Sequence, residues 1–499
     1  MSSTITVVDH IGKTPEAGSL RSLHGQPGQV VVVQRFWPKS PQGTDDDGGG
    51  GLFAWDPVRS FDDGGTVIVP SPRGPGCWRR IGSGPISVRW FGARGNGVQD
   101  DLPFIQRAVD VVRGVLPGAV RAGGTVFFPT GTYRCNGSIR VDASTIATEP
   151  GWIGIVLDGG GWAALVQSSD HAPLVQGNPA LYVTLRGFRL VSGNTAYAGH
   201  LVDLQGTAAA DSSNNLIEQC SFREGLQPSG ALPLSLLRLD RCLYTTVRGC
   251  EFAAHAEAGI LGRDTAYSNA IAIENCLFYS AFSKGAIYNA GSHWSIARCW
   301  FTASSDSHDG TYGATYDQDT QPPMLGATYQ LGFFQCRFGE AGAASCGRPW
   351  ISAHEVRGLT ISGCALGNPA GPQPGGPRVV IDGCLGVNLT GNVLVEDGVQ
   401  IKFQNTHQSA SGGIAILGNL FAQGQTPITG WEAIGGGFCA IGNGGMNNTL
   451  DPALHLPASP TAPIVTGPRS DPEGALLSLV TTLANLGLVT NATVETSGP

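Results

Sequence analysis

Three groups of residues have the types and spacing for acid–base chemistry on a polymer. Asp240, in LLRLDRC, and Asp264, in ILGRDTAY, form the first. Two carboxyls held ~5 Å apart suit a retaining glycosidase, and a separation of ~10 Å lies close to the inverting range. Carboxylates this close push their pKa values apart, which fits one of them to act as an acid. Arg241 and Arg263 adjoin them, either as forks for a carboxylate-bearing ligand or as surface ion-pair partners. The second group lies in FTASSDSHDGTYGATYDQDTQPPM, with Asp306, His308, Asp309, Tyr312, Tyr316 and Asp317. Loops of this composition carry function more often than the scaffold beneath them. Their aromatic rings suit stacking on sugars, and their acids suit hydrogen bonds to hydroxyls. Neither SDSHDG nor YDQDT has the spacing of a calcium loop, so no metal is expected. The third group is WISAHEVRGL, with His354, Glu355 and Arg357. A base that removes the proton α to a carboxylate, beside a cation that holds that carboxylate, is what elimination requires. His293, in GSHWSIARC, is a further candidate base. Ser-His-Asp catalysis has no GxSxG elbow to support it.

A repeat must position these residues. NLIEQCSF (Cys220), TTVRGCEF (Cys250), IAIENCLF (Cys276), WSIARCWF (Cys299), LGFFQCRF (Cys336), LTISGCAL (Cys364) and RVVIDGCLG (Cys384) share one pattern: a short alternating apolar strand, then Cys. Asn takes the same place in VNLTGNVL (Asn392), IAILGNLF (Asn419) and FCAIGNGG (Asn443), and VTLRGFRL (Gly187) is a weaker copy. The Cys steps of 30, 26, 23, 37, 28 and 20 residues are too irregular for propeller blades of ~40–50. They predict a parallel β-helix rising ~4.8 Å per coil. Cys then acts as a small inward hydrophobe, reduced and structural, and Asn hydrogen-bonds along the stack. No CxxC pair suggests a metal. Counting ten residues back from each ladder Cys places Asp240, Asn289, Gly326 and His354 on the sheet that begins each coil, with Asp264 twelve before Cys276. Strand alternation then allows only one of His354 and Glu355 to face a groove on that sheet.

Composition agrees with such a scaffold. Glycine is 73 of 499 residues, about twice the usual ~7%, and charged residues are 14% against ~25%, which fits turn-rich β structure better than amphipathic helices. A net charge of −8 argues against a nucleic-acid partner. No 18-residue apolar run argues for membrane insertion. The start, MSSTITVVDHIGK, lacks a signal-peptide layout. Residues 1–85 read as a small β module, with GGGGLFAWDP, FDDGGTVIVP and GCWRRI as its turn-and-strand units. Residues 86–455 read as the β-helix, with a capping helix at about 102–113 whose N-cap is Asp100 or Asp101. Residues 456–499 read as a linker and a short helical segment with Leu476, Leu479, Leu483 and Leu486 near helical spacing.

The run FGARGNGVQDDLPFIQRAVD, followed by GGTVFFPTGTY, resembles the opening segment of pectate-lyase-like right-handed β-helix proteins. Asn96, Leu102 and Phe104 stand where that pattern usually has Asp, Thr and Ala. The Gly-rich leader resembles the module that precedes such helices in bacteriophage tailspikes, and Ala462–Asn491 resembles a C-terminal segment of phage tail proteins. The resemblance implies an all-β fold, a right-handed single-stranded parallel β-helix with short helices at the N-terminal cap and C-terminus. It implies a depolymerase of bacterial capsular or exopolysaccharide. Hydrolysis by the Asp240–Asp264 pair is the first reading of its chemistry. Elimination from an acidic polysaccharide, with His293, His354 or Glu355 as base, is the second. A non-catalytic glycan-binding tail fibre or adhesin is the third. It further implies a homotrimer, no cofactor, a phage tail or adaptor protein as partner, and a place on the virion tail. A bacterial protein secreted by a non-Sec route is the alternative location.

Overall fold

A computed structural model describes residues 6–39, 47–58, 60–72, 74–117, 123–143, 154–224, 232–262, 268–279, 282–288, 290–302, 314–315, 329–339, 349–367, 377–394, 399–406, 410–421, 428–441 and 443–445. All belong to one compact unit, Met1–Asn448; the expected C-terminal helix lies outside the described residues.

The N-terminal module is a five-stranded sheet. Thr6–His10 pairs in parallel with Val30–Arg35, and Gly51–Asp56, Cys77–Arg80 and Val67–Ile68 continue it antiparallel. Val31, Phe53, Ile68 and Trp78 form its buried centre. The Gly48–Gly51 run is needed because the backbone there is crowded: a Cβ on Gly50 would lie 2.3 Å from Gln34 O. Arg80 spans this turn, donating to Gly49 O (2.8 Å) and Gly50 O (2.5 Å), with its guanidinium over Phe53 and Trp90.

The helix Leu102–Arg113 buries Ile105, Ala108, Val109 and Val112 against the first coils, with Pro103 in its first turn. Asp101 occupies its N-cap position but makes no capping bond. Its carboxylate turns back instead to accept the amides of Arg94 (2.8 Å) and Gly95 (2.9 Å), which closes the Gly-Ala-Arg-Gly turn. Asp100 takes the Leu102 amide at 3.2 Å.

From Ile86 to Gly445 the described residues form a parallel β-helix. Each full coil contributes to three strand columns. The front sheet has eleven strands, from Ile139–Arg140 through Val175–Gly177, His200–Gln205, Ser235–Asp240, Ala256–Leu261, Phe282–Tyr288, Ala314–Thr315, Ile351–His354, Val379–Asp382 and Ile401–Gln404 to Ile428–Thr429. A second column includes Leu216–Glu218, Thr246–Arg248, Ala272–Glu274 and Trp294–Ala297. A third includes Ser221–Glu224, Glu251–Ala253, Leu277–Tyr279 and Trp300–Thr302.

The recurrent Cys sits at the corner between the second and third columns. The residue before it is left-handed in every coil: Gln219, Gly249, Asn275, Arg298, Gln335, Gly363, Gly391 and Gly418 have φ between 52° and 63°. Such a residue turns the chain in one step, and the next side chain points inward, where only a small group fits. Cys220, Cys250, Cys276, Cys299, Cys336 and Cys364 fill that column; Asn392 and Asn419 continue it and are buried, and Asn443 follows them. Asn392 Nδ2 donates to Ile361 O (2.7 Å), while its Oδ1 accepts from Cys364 N (2.9 Å). Two residues after the first five of these Cys, Phe222, Phe252, Phe278, Phe301 and Phe338 stack face to face at 4.6, 4.7, 4.8 and 4.6 Å, a direct reading of the coil rise.

Two expectations about this register are corrected. Cys384 is not a ladder residue: the column runs from Cys364 to Asn392, a step of 28. Cys384 and Cys242 follow front-sheet strands at a different corner, each two residues after an aspartate that ends the strand. Both corners place a small inward residue after a left-handed one (Gly383, Arg241), so one local pattern serves both. The insertion after Cys299 is also not a single loop. Ala314–Thr315 returns to the front sheet, pairing with Ile287–Tyr288 and, through Thr315, with Ser352. Counting back to Gly326 therefore misplaces that coil's strand.

Candidate functional site

Alternation along the front-sheet strands sends Val202, Leu204, Leu237, Leu239, Ile260, Ile287, Ile351, Ile381 and Phe403 into the core. The intervening positions point outward: Asp203, Arg238, Asp240, Ser352, His354, Asp382, Lys402 and Gln404. Register orders them in two rows. Asp203, Arg238, Leu261, Tyr288, Thr315, Ser352, Val380 and Lys402 succeed one another coil by coil. The row two residues further along holds Gln205 opposite Asp240, and His354 opposite Asp382 and Gln404.

The C-terminal end of this face is a connected polar cluster. Ser352 Oγ lies 2.8 Å from His354 Nε2, and His354 Nδ1 lies 3.2 Å from Asp382 Oδ2. Asp382 is fully buried. It accepts the Thr406 amide at 3.0 Å, the Thr406 hydroxyl, and Gln404 Nε2 at 3.3 Å. Burial opposes ionisation of Asp382, but the Thr406 bonds, the nearby His354 and Gln404 together hold its carboxyl below the ordinary range. An ionised carboxylate only accepts, so His354 Nδ1 donates to Asp382, while Nε2 lies at hydrogen-bond distance from the Ser352 hydroxyl.

The other predicted residues fall elsewhere. Asp240 ends the strand Ser235–Asp240 and is buried. Four coil steps separate its row position from that of His354, or ~19 Å, so these two do not share one site. Arg241, left-handed at the corner, pairs with Asp211 at 2.9 Å. Glu355 is also left-handed at the corner (φ 51°) and donates its amide to Asp382 O, leaving His354 as the residue on the sheet face. Arg357 begins a strand of the second column, its guanidinium 5.8 Å from the Tyr329 ring centroid. The His–Arg pair wanted for elimination is therefore split between two sheets. His293 is exposed at a second left-handed corner, in register with Ala270 and Gln330. Arg263, Asp264, Asp306, His308, Asp309, Tyr312, Tyr316 and Asp317 lie outside the described residues.

Ser352, Asp382 and Thr406 were not singled out from sequence. The signal that finds them is Ser-x-His on an alternating strand, followed one coil later by an aspartate at the His register. Many arginines have structural partners. Asp203 and Arg238 form a bidentate pair with both contacts at 2.7 Å. On the second column Arg186 meets Asp158 (2.7 Å), Arg248 meets Glu218 (2.6 Å) and Arg298 meets Glu274 (3.7 Å). Among the described residues no group of three or more His, Cys, Asp or Glu is arranged to hold a metal ion. The ladder and corner thiols sit against carbonyls, as Cys384 does with Ala353 O at 3.3 Å, and burial pushes Cys384 up to about 12, so it stays protonated.

Comparisons with known proteins fit this architecture. Residues 15–83 match the phage tail protein small four-stranded beta-sheet domain, and residues 85–170 match the family described as rhamnogalacturonase A/epimerase, pectate lyase-like. Among solved structures, the chain is similar to PfbA, a surface adhesin of Streptococcus pneumoniae (13% identity, TM-score 0.51), over 69% of this chain and 91% of that one. It is similar to the tailspike protein gp49 of Acinetobacter baumannii bacteriophage Fri1, described as a capsular polysaccharide depolymerase (12% identity, TM-score 0.50), over 89% of this chain and 69% of that one. At these identities the likeness is one of fold. By its coils the chain is a right-handed parallel β-helix protein, with a segment that matches a pectate lyase-like model opening the helix and a segment that matches a phage-tail β-sheet domain on its N-terminal side.

Proposed function

We propose that this protein is a tailspike-type depolymerase that cleaves glycosidic bonds of a bacterial capsular or exopolysaccharide. The observation that carries the reading is the outward row of the front sheet. Gln205 and Asp240 on two successive coils, and His354, Asp382 and Gln404 on three successive coils further along, place hydrogen-bonding groups in that row. The coil rise of ~4.8 Å is about the length of one sugar unit, so an extended glycan along the sheet meets an equivalent position at each residue. The phage-tail match at residues 15–83 supports a place on the virion tail, with extracellular action. Hydrolysis by Asp240 with Asp264, one coil apart by count, is the preferred chemistry. Elimination with His354 as base is the second reading, supported by its place on the sheet face but lacking Arg357 beside it. Assembly as a homotrimer belongs to the same proposal, and mass measurement in solution tests it.

The experiment is incubation of the purified protein with a panel of capsular and exopolysaccharides. New reducing ends without ultraviolet absorbance support hydrolysis, and their loss in Asp240→Asn and Asp264→Asn supports the pair. Unsaturated products that absorb in the ultraviolet support elimination. Binding without any change in polymer size overturns the enzymatic reading in favour of an adhesin, a role the PfbA fold also serves.

A further inference from the structure

We propose that Ser352, His354 and Asp382 form a catalytic hydroxyl–imidazole–carboxylate relay that removes short acyl esters from a glycan on the front sheet. The proposal rests on the reading of that face as glycan-binding, but it concerns a different bond: the ester, not the glycosidic linkage.

The order and spacing of the groups are those of nucleophilic acyl transfer. Ser352 Oγ is 2.8 Å from Nε2, and Nδ1 is 3.2 Å from the carboxylate. Ser352 and His354 are two apart on one strand and so share its outward face. Asp382 is the register partner of His354 on the next coil, so the stacking itself aligns the carboxylate with the ring. Thr406 and Gln404 pin that carboxylate from the far side, which fixes the ring's tautomer and orientation. Each member therefore has the role its position demands: hydroxyl to attack, Nε2 to take the proton, carboxylate to steady the resulting imidazolium.

The surroundings define the acyl group. Val380 neighbours Ser352 in the same row, one coil on, and offers a small apolar contact. Lys402 follows Val380 in that row, is exposed, and has no ion-pair partner among the described residues. Its four-carbon stem is long enough to bring the ammonium back across Val380 toward the developing oxyanion. Ser352 and Val380 are both nearly covered, at 8% and 6% exposure, which limits an acyl group at the hydroxyl to a short one.

The step balances without a co-reactant other than water. Ser352 Oγ bonds to the ester carbonyl carbon as its proton passes to His354 Nε2. The sugar alkoxide leaves, takes that proton and departs as the free hydroxyl. Water then adds to the acyl-serine, giving its proton to His354, and the carboxylic acid is released as Oγ recovers the proton.

The test uses the full chain, p-nitrophenyl acetate, an O-acetylated polysaccharide and a fluorophosphonate probe. The expected result is one covalent label per chain, on the Ser352 peptide. Ser352→Ala should remove the label and lower ester hydrolysis at least a hundredfold while circular dichroism and melting temperature hold. His354→Asn should do the same, with folding checked identically. Ester hydrolysis and labelling that are unchanged in Ser352→Ala, or no labelling of the native protein, would overturn the proposal. Polymer size, read in parallel, separates the two readings. Ser352-dependent acetate release from an uncut polymer sustains the relay and sinks the depolymerase. A cut polymer with no Ser352-dependent acetate release does the reverse.

Discussion

His354 Nδ1 stands 3.2 Å from Oδ2 of Asp382, its register partner on the following coil. The contact joins two coils through side chains on the face where a ligand would lie, and Asp382 is fully buried beneath it. Asp382→Asn replaces an acceptor that serves four donors with an amide that must turn one hydrogen-bonding edge the wrong way. Hydrogen bonds to a charged group contribute ~1.5–3 kcal/mol each, so the variant should lose about 2–3 kcal/mol at pH 7. The Asp382 carboxyl titrates below the ordinary aspartate range in the folded state. Its contribution is therefore complete above that range and is lost as pH falls through the lower folded value. Denaturation of both proteins at pH 7 and near pH 3 should show the gap narrowing in acid.

Asp203 and Arg238 occupy neighbouring coils of the front sheet, and the carboxylate keeps only 3% of its side-chain surface. Both guanidinium bonds are 2.7 Å. Arg238→Ala leaves that buried charge uncompensated and should cost about 3–5 kcal/mol. Arg238→Lys should recover only part of this, because an ammonium cannot form the two parallel bonds. The pair Asp203→Leu with Arg238→Met should be near neutral, since the attraction largely offsets desolvation. Unfolding midpoints of the four proteins check the ordering.

The scaffold was legible because each coil repeats one physical demand. A left-handed residue must be followed by a small inward one, and an aromatic two further on must stack, so Cys-x-Phe after a Gln, Asn, Arg or Gly recurs despite coils of unequal length. The same grammar misleads at Cys384, where a second corner makes the same demand. The two-residue strand Ala314–Thr315 was invisible because its place comes from its neighbours, not from any pattern of its own. In the site, His354 was found by counting back from Cys364, which works because that coil holds no insertion. Ser352 and Asp382 carry no local motif, because they meet His354 only through the strand and its register partner one coil on. Here the sheet positions these groups by alternation along one strand and register across two.

Phe278 lies in the middle of the ring stack, 4.7 Å from Phe252 and 4.8 Å from Phe301. It is almost completely buried. Phe278→Ala opens a cavity with ordered rings on both sides that cannot close in without shifting a coil, so a loss of about 3–5 kcal/mol is expected. Phe278→Leu keeps much of the volume and should cost clearly less. Because unfolding of such a chain is prone to irreversibility, the unfolding rate at fixed temperature is the appropriate measure.

The change from Cys to Asn along the inner ladder gives the last prediction. Cys336 N reaches Cys364 Sγ at 3.4 Å, a weak acceptor, whereas Cys364 N reaches Asn392 Oδ1 at 2.9 Å. Asn392 and Asn419 each also donate to a carbonyl one coil back, Ile361 O at 2.7 Å and Leu389 O at 2.8 Å. In the same register, an Asn at 364 would accept from Cys336 N and donate to Phe333 O, the carbonyl that Cys364 Sγ now approaches at 3.6 Å. Cys364→Asn should therefore stabilise the protein by about 1 kcal/mol, the net value of one well-made hydrogen bond. Asn392→Cys should lose about 1–3 kcal/mol by weakening the acceptor for a buried amide. Melting in reducing buffer checks both signs. If Cys364→Asn destabilises, side-chain volume, not hydrogen bonding, decides which residue the ladder accepts.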